Sequence, residues 1–285
     1  MTLVLSCITR DFIVQVSDRR LTWLNGPNSG SVADDERNKA VVVCNRLVFA
    51  YSGLAEIGSL RTDDWLLEVI RRATVKSYNV RAVVSAIATE ATDAFRRLVL
   101  SRHLKRHAFV AAGWVKLARE APLVPVIVSI SNAVDDRWRW QRVASDQFIV
   151  LHALLRPSGR AELRCTGQHL EELKAKRLRR QIDRCIEHNA GPGACVEILA
   201  KAIRDAARTR DTIGANLLAV SLPIAATAHE PSLSMPVRSS FASDAVTSVY
   251  LAAGDEIGVL YGPHYTCGGF SYSDIKLHSG LGLDG

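Results

Sequence analysis

Residues 1–20 read MTLVLSCITRDFIVQVSDRR. Two runs rich in β-branched and apolar residues, 2–9 and 12–18, flank TRDF, which supplies turn material, so the stretch reads as an antiparallel hairpin. With a two-residue turn at Arg10-Asp11, paired positions sum to 21: Leu3 faces Asp18, and Thr2 faces Arg19 at the open end. Thr2 then has two readings. It is the first residue of a strand, or, once Met1 is removed, it is a terminus whose free amine and hydroxyl sit side by side.

A second pair of runs, KAVVVC (39–44) and LVFAYS (47–52), surrounds Asn45-Arg46. A two-residue turn there makes pairs sum to 91 and sets Lys39 opposite Ser52, next to Gly53. The polar loop NGPNSGSVADDER separates the two hairpins. Helical spacing follows. Thr62 reads as an N-cap ahead of Asp63 and Asp64, with Trp65, Leu66, Val69, Ile70 and Ala73 on one face, and residues 80–104 continue in the same mode. Strands are expected at 108–116, 123–131, 147–155 and 161–166, helices at 168–188 and 193–209, and a further strand at 215–222. Strand runs segregated from helix runs predict an α+β protein with helices outside two packed antiparallel sheets. Residues 2–222 read as one domain; 223–285, with short β-like runs around AVTSVYLAA and EIGVLYG, read as a β-rich C-terminal extension.

Composition fits a folded, water-borne chain: 48% hydrophobic, 23% charged, and net +7 from 36 Lys+Arg against 29 Asp+Glu. The six cysteines (7, 44, 165, 185, 195, 267) form no C-x-x-C pair, and several sit in apolar runs, which points to buried thiols in a reducing compartment. Arg10 and Asp11 break the first apolar run, and no run approaches a membrane span. A cytoplasmic protein without membrane partners is the expectation.

If the open ends of the two hairpins meet, Thr2, Asp18, Lys39 and Gly53 gather at one place. The set is chemically coherent. A threonine hydroxyl is a weak nucleophile until a base takes its proton, and its own α-amine can be that base. A lysine beside it keeps the amine neutral and lowers the hydroxyl's pKa; an aspartate fixes the lysine. A glycine N–H can receive the oxyanion, a role worth roughly 3–4 kcal/mol.

These residues carry a resemblance. MTLVLSCITRDFIVQVSDRRLT resembles the start of a mature proteasome β-subunit, which begins at its catalytic threonine and has an acid-Arg-Arg stretch where Asp18-Arg19-Arg20 stands here. NKAVVVCNRLVFAYSGLAEIGSL resembles the family's lysine strand and following turn, RCTGQHLEELKAK its Gly-Ser-Gly helix start, and RTRDTIGANLLAVSL its Arg-Asp-x-x-Ser-Gly-Gly strand start. The resemblance spans residues 2–222 and looks like a divergent bacterial-type proteasome homologue. It implies a four-layer αββα sandwich of N-terminal-nucleophile (Ntn) hydrolase type and a threonine amidohydrolase acting on peptides. The implied roles are nucleophile and base for Thr2, activation for Lys39 and Asp18, oxyanion binding for Gly53, and support of the amine for Asp211. It further implies no cofactor and a homo-oligomer, and leaves any partner ATPase unidentified. Two family serines are absent: Gln168 and Gly214 stand in their places.

Other motifs read more plainly. His103 and His107 are spaced for a metal on one helix face, but Arg102, Lys105 and Arg106 surround them, which favours a solvated helix end. KAKRLRR (174–180) spreads its charge around a helix, so a solvated face or subunit contact is expected before nucleic acid. DDRWRWQR (135–142) suits a hairpin tip or protein contact as well as a single-strand binder. The competing class is a non-catalytic proteasome-fold subunit that acts in assembly or binding, with the basic helix as its working surface, open to nucleic acid.

Overall fold

A computed structural model describes residues 2–23, 29–35, 37–75, 79–118, 120–156, 158–167, 170 and 172–224, and then 248–252, 259–261, 263–267, 270–272 and 276–278. Strands β1 (Leu3–Ile8) and β2 (Phe12–Asp18) form the first hairpin, followed by a ribbon of β3 (Leu21–Thr22) and β4 (Val32–Asp34). The second hairpin is β5 (Ala40–Val43) and β6 (Leu47–Ser52), and a small ribbon of β7 (Glu56–Ile57) and β8 (Leu60–Arg61) leads into α1 (Thr62–Thr74) and α2 (Val80–Arg97). Next come β9 (Ala108–Lys116), β10 (Leu123–Ser131), β11 (Ile149–Leu154) and β12 (Glu162–Gly167), then α3 (Glu172–Glu187), α4 (Gly191–Ala207) and β13 (Leu217–Pro223). The C-terminal segment contributes β14 (Ser248–Ala252), β15 (Val259–Tyr261), β16 (His264–Cys267), β17 (Phe270–Tyr272) and β18 (Lys276–His278). The class is α+β. No described helix is long and apolar enough to cross a membrane.

Two sheets dominate. One runs β12-β1-β2-β13-β14, the other β11-β10-β9-β6-β5-β16-β17. Strands β1 and β2 are buried along their whole length, because each has a covered face on both sides. Their two-residue period sorts the side chains. Leu3, Leu5, Val14 and Val16 pack with Leu178, Ile182, Leu199 and Ile203 of α3 and α4. Val4, Ile8 and Ile13 point the other way, onto Val42, Val48, Ala50 and Ala112 of the second sheet. The far face of that sheet presents Val41, Phe49, Tyr51 and Phe109 to Leu66, Ile70, Val83 and Ile87 of α1 and α2. In the layer between the sheets, Gln15 Nε2 donates to Ser6 Oγ at 3.0 Å and to the Val110 carbonyl at 3.4 Å.

The first hairpin has the expected register, with Val4 opposite Ser17 and Leu5 opposite Val16. The second is shifted by one residue: Ala40 faces Ala50 and Val43 faces Leu47. Its turn uses three residues, Cys44–Arg46, with Cys44 and Asn45 at positive φ (49° and 51°). The Arg46 carbonyl is drawn off to accept from Trp114 N–H at 2.8 Å, which accounts for the extra residue. Thr62 is the first residue of α1 and not its cap; its hydroxyl donates to the Leu54 carbonyl at 2.8 Å instead. Helix α2 stops at Arg97, seven residues short of the expected end.

Three of the described strands beyond residue 223 join the two sheets: β14 pairs with β13, β16 lies parallel to β5, and β17 pairs with β16, whereas β15 and β18 pair with each other. His264 of β16 also reaches Asp63 of α1, Nε2 to Oδ2 at 3.3 Å. Strands β14, β16 and β17 thus extend the two sheets.

Candidate active site

Four chain segments converge where β1 begins and β2 ends. Thr2 precedes β1, Asp18 closes β2, Lys39 precedes β5, and Gly53 follows β6. Lys39 Nζ lies 2.5 Å from Thr2 Oγ1, 2.5 Å from the Arg20 carbonyl and 3.3 Å from Asp18 Oδ1. These three acceptors match the three donors of an ammonium. Lys39 and Asp18 have no exposed surface, and Thr2 is 4% exposed. The one-residue shift of the second hairpin does not disturb the meeting, because Lys39 reaches the site from the loop before β5.

Asp18 is pinned from four directions. Oδ2 accepts from Leu3 N–H at 2.6 Å, and Oδ1 accepts from Arg20 N–H at 3.0 Å, Gly214 N–H at 3.4 Å and Lys39 Nζ at 3.3 Å. Such a carboxylate holds the lysine without freedom to swing away. Burial pushes the Lys39 pKa below its ordinary value, against the opposing pull of Asp18. A lysine in this state acts as a tunable electrostatic partner for the adjacent hydroxyl.

The turn after β6 is fixed as firmly. Ser52 Oγ donates to the Thr2 carbonyl at 3.0 Å. Gly53 adopts φ +133°, and a Cβ there would lie 2.5 Å from His107 Nδ1 and 2.6 Å from the Arg106 carbonyl, so only glycine fits. Leu54 N–H donates to His107 Nδ1 at 3.0 Å. The acceptor role of Nδ1 assigns the proton to Nε2. The His107 ring stacks on Tyr51 and packs against Phe95, Phe109 and Phe148. Burial drives its pKa from 6.5 down to about 3, so it stays a neutral acceptor.

Thr2 and Gly53 share a cleft with Arg20, Thr22, His103 and Arg106; its empty space, mouth included, is ≈ 570 Å³. At Gly214 a Cβ would lie 2.8 Å from both Arg20 Cβ and Asp35 Oδ1, so the backbone packs too closely there for a side chain without a shift of its neighbours. Asp211 is exposed and joins the site through its backbone, whose carbonyl accepts from Arg20 Nη1 at 2.9 Å. Gln168 lies outside the described residues.

His103 and His107 do not share a helix. His103 is exposed in the turns between α2 and β9, and His107 is buried just before β9. Sequence reasoning therefore missed the use of His107 as the acceptor behind the Gly53 turn; the signal was a histidine directly preceding the apolar run of β9. Among the described residues, Asp63, Asp64 and His264 bring ligand-type atoms within 4.8 Å of one another. Asp63 there already pairs with Arg37 at 2.8 Å and meets His264 Nε2 at 3.3 Å, so its carboxylate is taken up in joining α1 to Arg37 and β16. DDRWRWQR is a compact tip between β10 and β11: Asp135 accepts from Arg137 and Arg139 N–H, and Arg164 lies over Trp138 at 4.9 Å.

No protein-family model matches the sequence, and a search among curated proteins returns no match.

Proposed function

We propose that this chain is an N-terminal-threonine amidohydrolase with peptides as its substrate class, on a four-layer αββα sandwich of proteasome-type Ntn-hydrolase form. The layering is supported by the three apolar clusters, one between the sheets and one under each helix pair. The observation that carries the reading is the 2.5 Å approach of Lys39 Nζ to Thr2 Oγ1 with Asp18 locked behind the lysine.

In this reading the Met1–Thr2 bond is cleaved, freeing the Thr2 α-amine. The amine takes the proton of Oγ1 as the oxygen attacks the substrate carbonyl, and Lys39 stabilises the negative charge growing on Oγ1. The oxyanion is received at Gly53 N–H, on a turn held by His107 and Thr62. The amine then passes its proton to the leaving nitrogen, which departs as an amine and leaves an ester on Oγ1. Water, deprotonated by the same amine, attacks the ester and restores the threonine. The Arg20 carbonyl and Asp18 share the charge of Lys39 throughout, so that no partner has to reorganise in a dry site.

The test is substitution of the nucleophile. Thr2→Ala abolishes labelling by a threonine-directed electrophile and hydrolysis of fluorogenic peptides, while the protein stays folded. Equal labelling of Thr2→Ala and wild type refutes the assignment.

A further inference from the structure

One wall of the cleft beside Thr2 is formed by His103, Leu104 and Arg106 of the segment RHLKRH (102–107), and the reaction above uses none of these three. Its charges have distinct fates. Arg102 pairs with Asp146 at 2.5 Å on the surface, and Lys105 Nζ turns to the end of α2, donating to the Phe95 carbonyl at 2.9 Å. Arg106 lines the cleft, half-buried, and donates through Nε to the His103 carbonyl at 3.0 Å. Among the described residues no carboxylate pairs with it. The other cleft arginine is occupied: Arg20 Nε and Nη2 each donate to Asp35 at 2.8 Å, and Nη1 donates to the Asp211 carbonyl. No Asp or Glu is among the described residues lining the cleft.

A half-buried guanidinium that no described carboxylate neutralises, facing a concave site, attracts an anion, and its planar fork suits a carboxylate. We infer that Arg106 receives a carboxylate of the substrate in the cleft beside Thr2, which makes acidic peptides the preferred class. The carboxylate comes from a Glu or Asp side chain or from a peptide C-terminus. The inference rests on the hydrolase reading for its meaning but not for its test. Binding discrimination needs no turnover.

The experiment measures binding of three acetylated tetrapeptides to the full Thr2→Ala chain by calorimetry. The peptides end in glutamine amide, glutamate amide or glutamine free acid. One of the two carboxylate peptides is expected to bind about tenfold tighter than glutamine amide, and which one identifies the source of the carboxylate. Arg106→Gln is expected to erase that ratio, and raised salt to shrink it. Equal affinity for all three peptides, no binding of any at ~1 mM, or discrimination that persists in Arg106→Gln overturns the inference. Discrimination by the Thr2→Ala chain together with no peptide cleavage by wild type would support the inference and defeat the hydrolase reading.

Discussion

Replacing His107 with glutamine tests whether a buried neutral histidine holds the turn that carries Gly53. The ring has no exposed surface, accepts Leu54 N–H through Nδ1, and has a pKa pushed from 6.5 to about 3 by burial. The sign follows from proton counts. Between pH 6.5 and 3 the unfolded chain binds a proton on His107 that the folded chain refuses, so stability falls as pH falls. From pH 7.5 to pH 5.0 the loss attributable to this residue is about 2 kcal/mol, and it continues towards pH 3. Glutamine cannot titrate and can still offer an acceptor to Leu54. His107→Gln loses aromatic packing at every pH, roughly 1–3 kcal/mol, but that offset is constant. Urea melts of both proteins at pH 7.5, 6.0 and 5.0 give the difference directly. The gap between wild type and variant is predicted to narrow by about 2 kcal/mol on going from pH 7.5 to 5.0. A gap that stays constant would refute the burial argument, and with it the neutral-acceptor role.

Two further substitutions probe the same turn and the Lys39–Asp18 pair. Gly53→Ala forces a Cβ to 2.5 Å from His107 Nδ1 and 2.6 Å from the Arg106 carbonyl at φ +133°; a loss of about 2–3 kcal/mol and much reduced electrophile labelling are expected, measured by denaturant melts and mass spectrometry. Lys39→Met leaves Asp18 without its cation but with its three backbone donors; a loss of about 3 kcal/mol at neutral pH and at least a hundredfold slower labelling are expected. Because burial lowers the Lys39 pKa, the unfolded chain holds the extra proton between the depressed folded value and 10.5. Wild type should therefore gain stability relative to Lys39→Met as pH rises through that window, and a gain on lowering pH would reject the assignment.

The α+β class was legible because strands and helices were segregated and strongly patterned along the chain. Leu3, Leu5, Val14 and Val16 alternate with Val4, Ile8 and Ile13 in a hairpin buried on both faces, so its register followed from turn length. The second hairpin broke the same rule because its Arg46 carbonyl is taken by Trp114, a contact 68 positions away that no local pattern encodes. Helix α2 was read too long because Leu98 fits its spacing, although the backbone turns extended there (ψ 130°). At the site, Thr2, Asp18, Lys39 and Gly53 were legible as polar groups at hairpin ends, and the structure brings them together. Asp211 contributes a carbonyl instead of its carboxylate. His107 was invisible as part of the site because its role depends on the ring lying against Gly53, across two different strand ends. The contribution of β14 and β16 to the sheet edges was equally hidden, since their partners lie far away along the chain.

The central claim concerns the state of Thr2. Peptide mapping of native protein, before and after reaction with a threonine-directed electrophile, tests it most directly. The account predicts an N-terminal peptide that begins at Thr2 with a free amine and carries the adduct on that residue. A native chain that retains Met1 on Thr2, or an adduct located on any other residue, would contradict it.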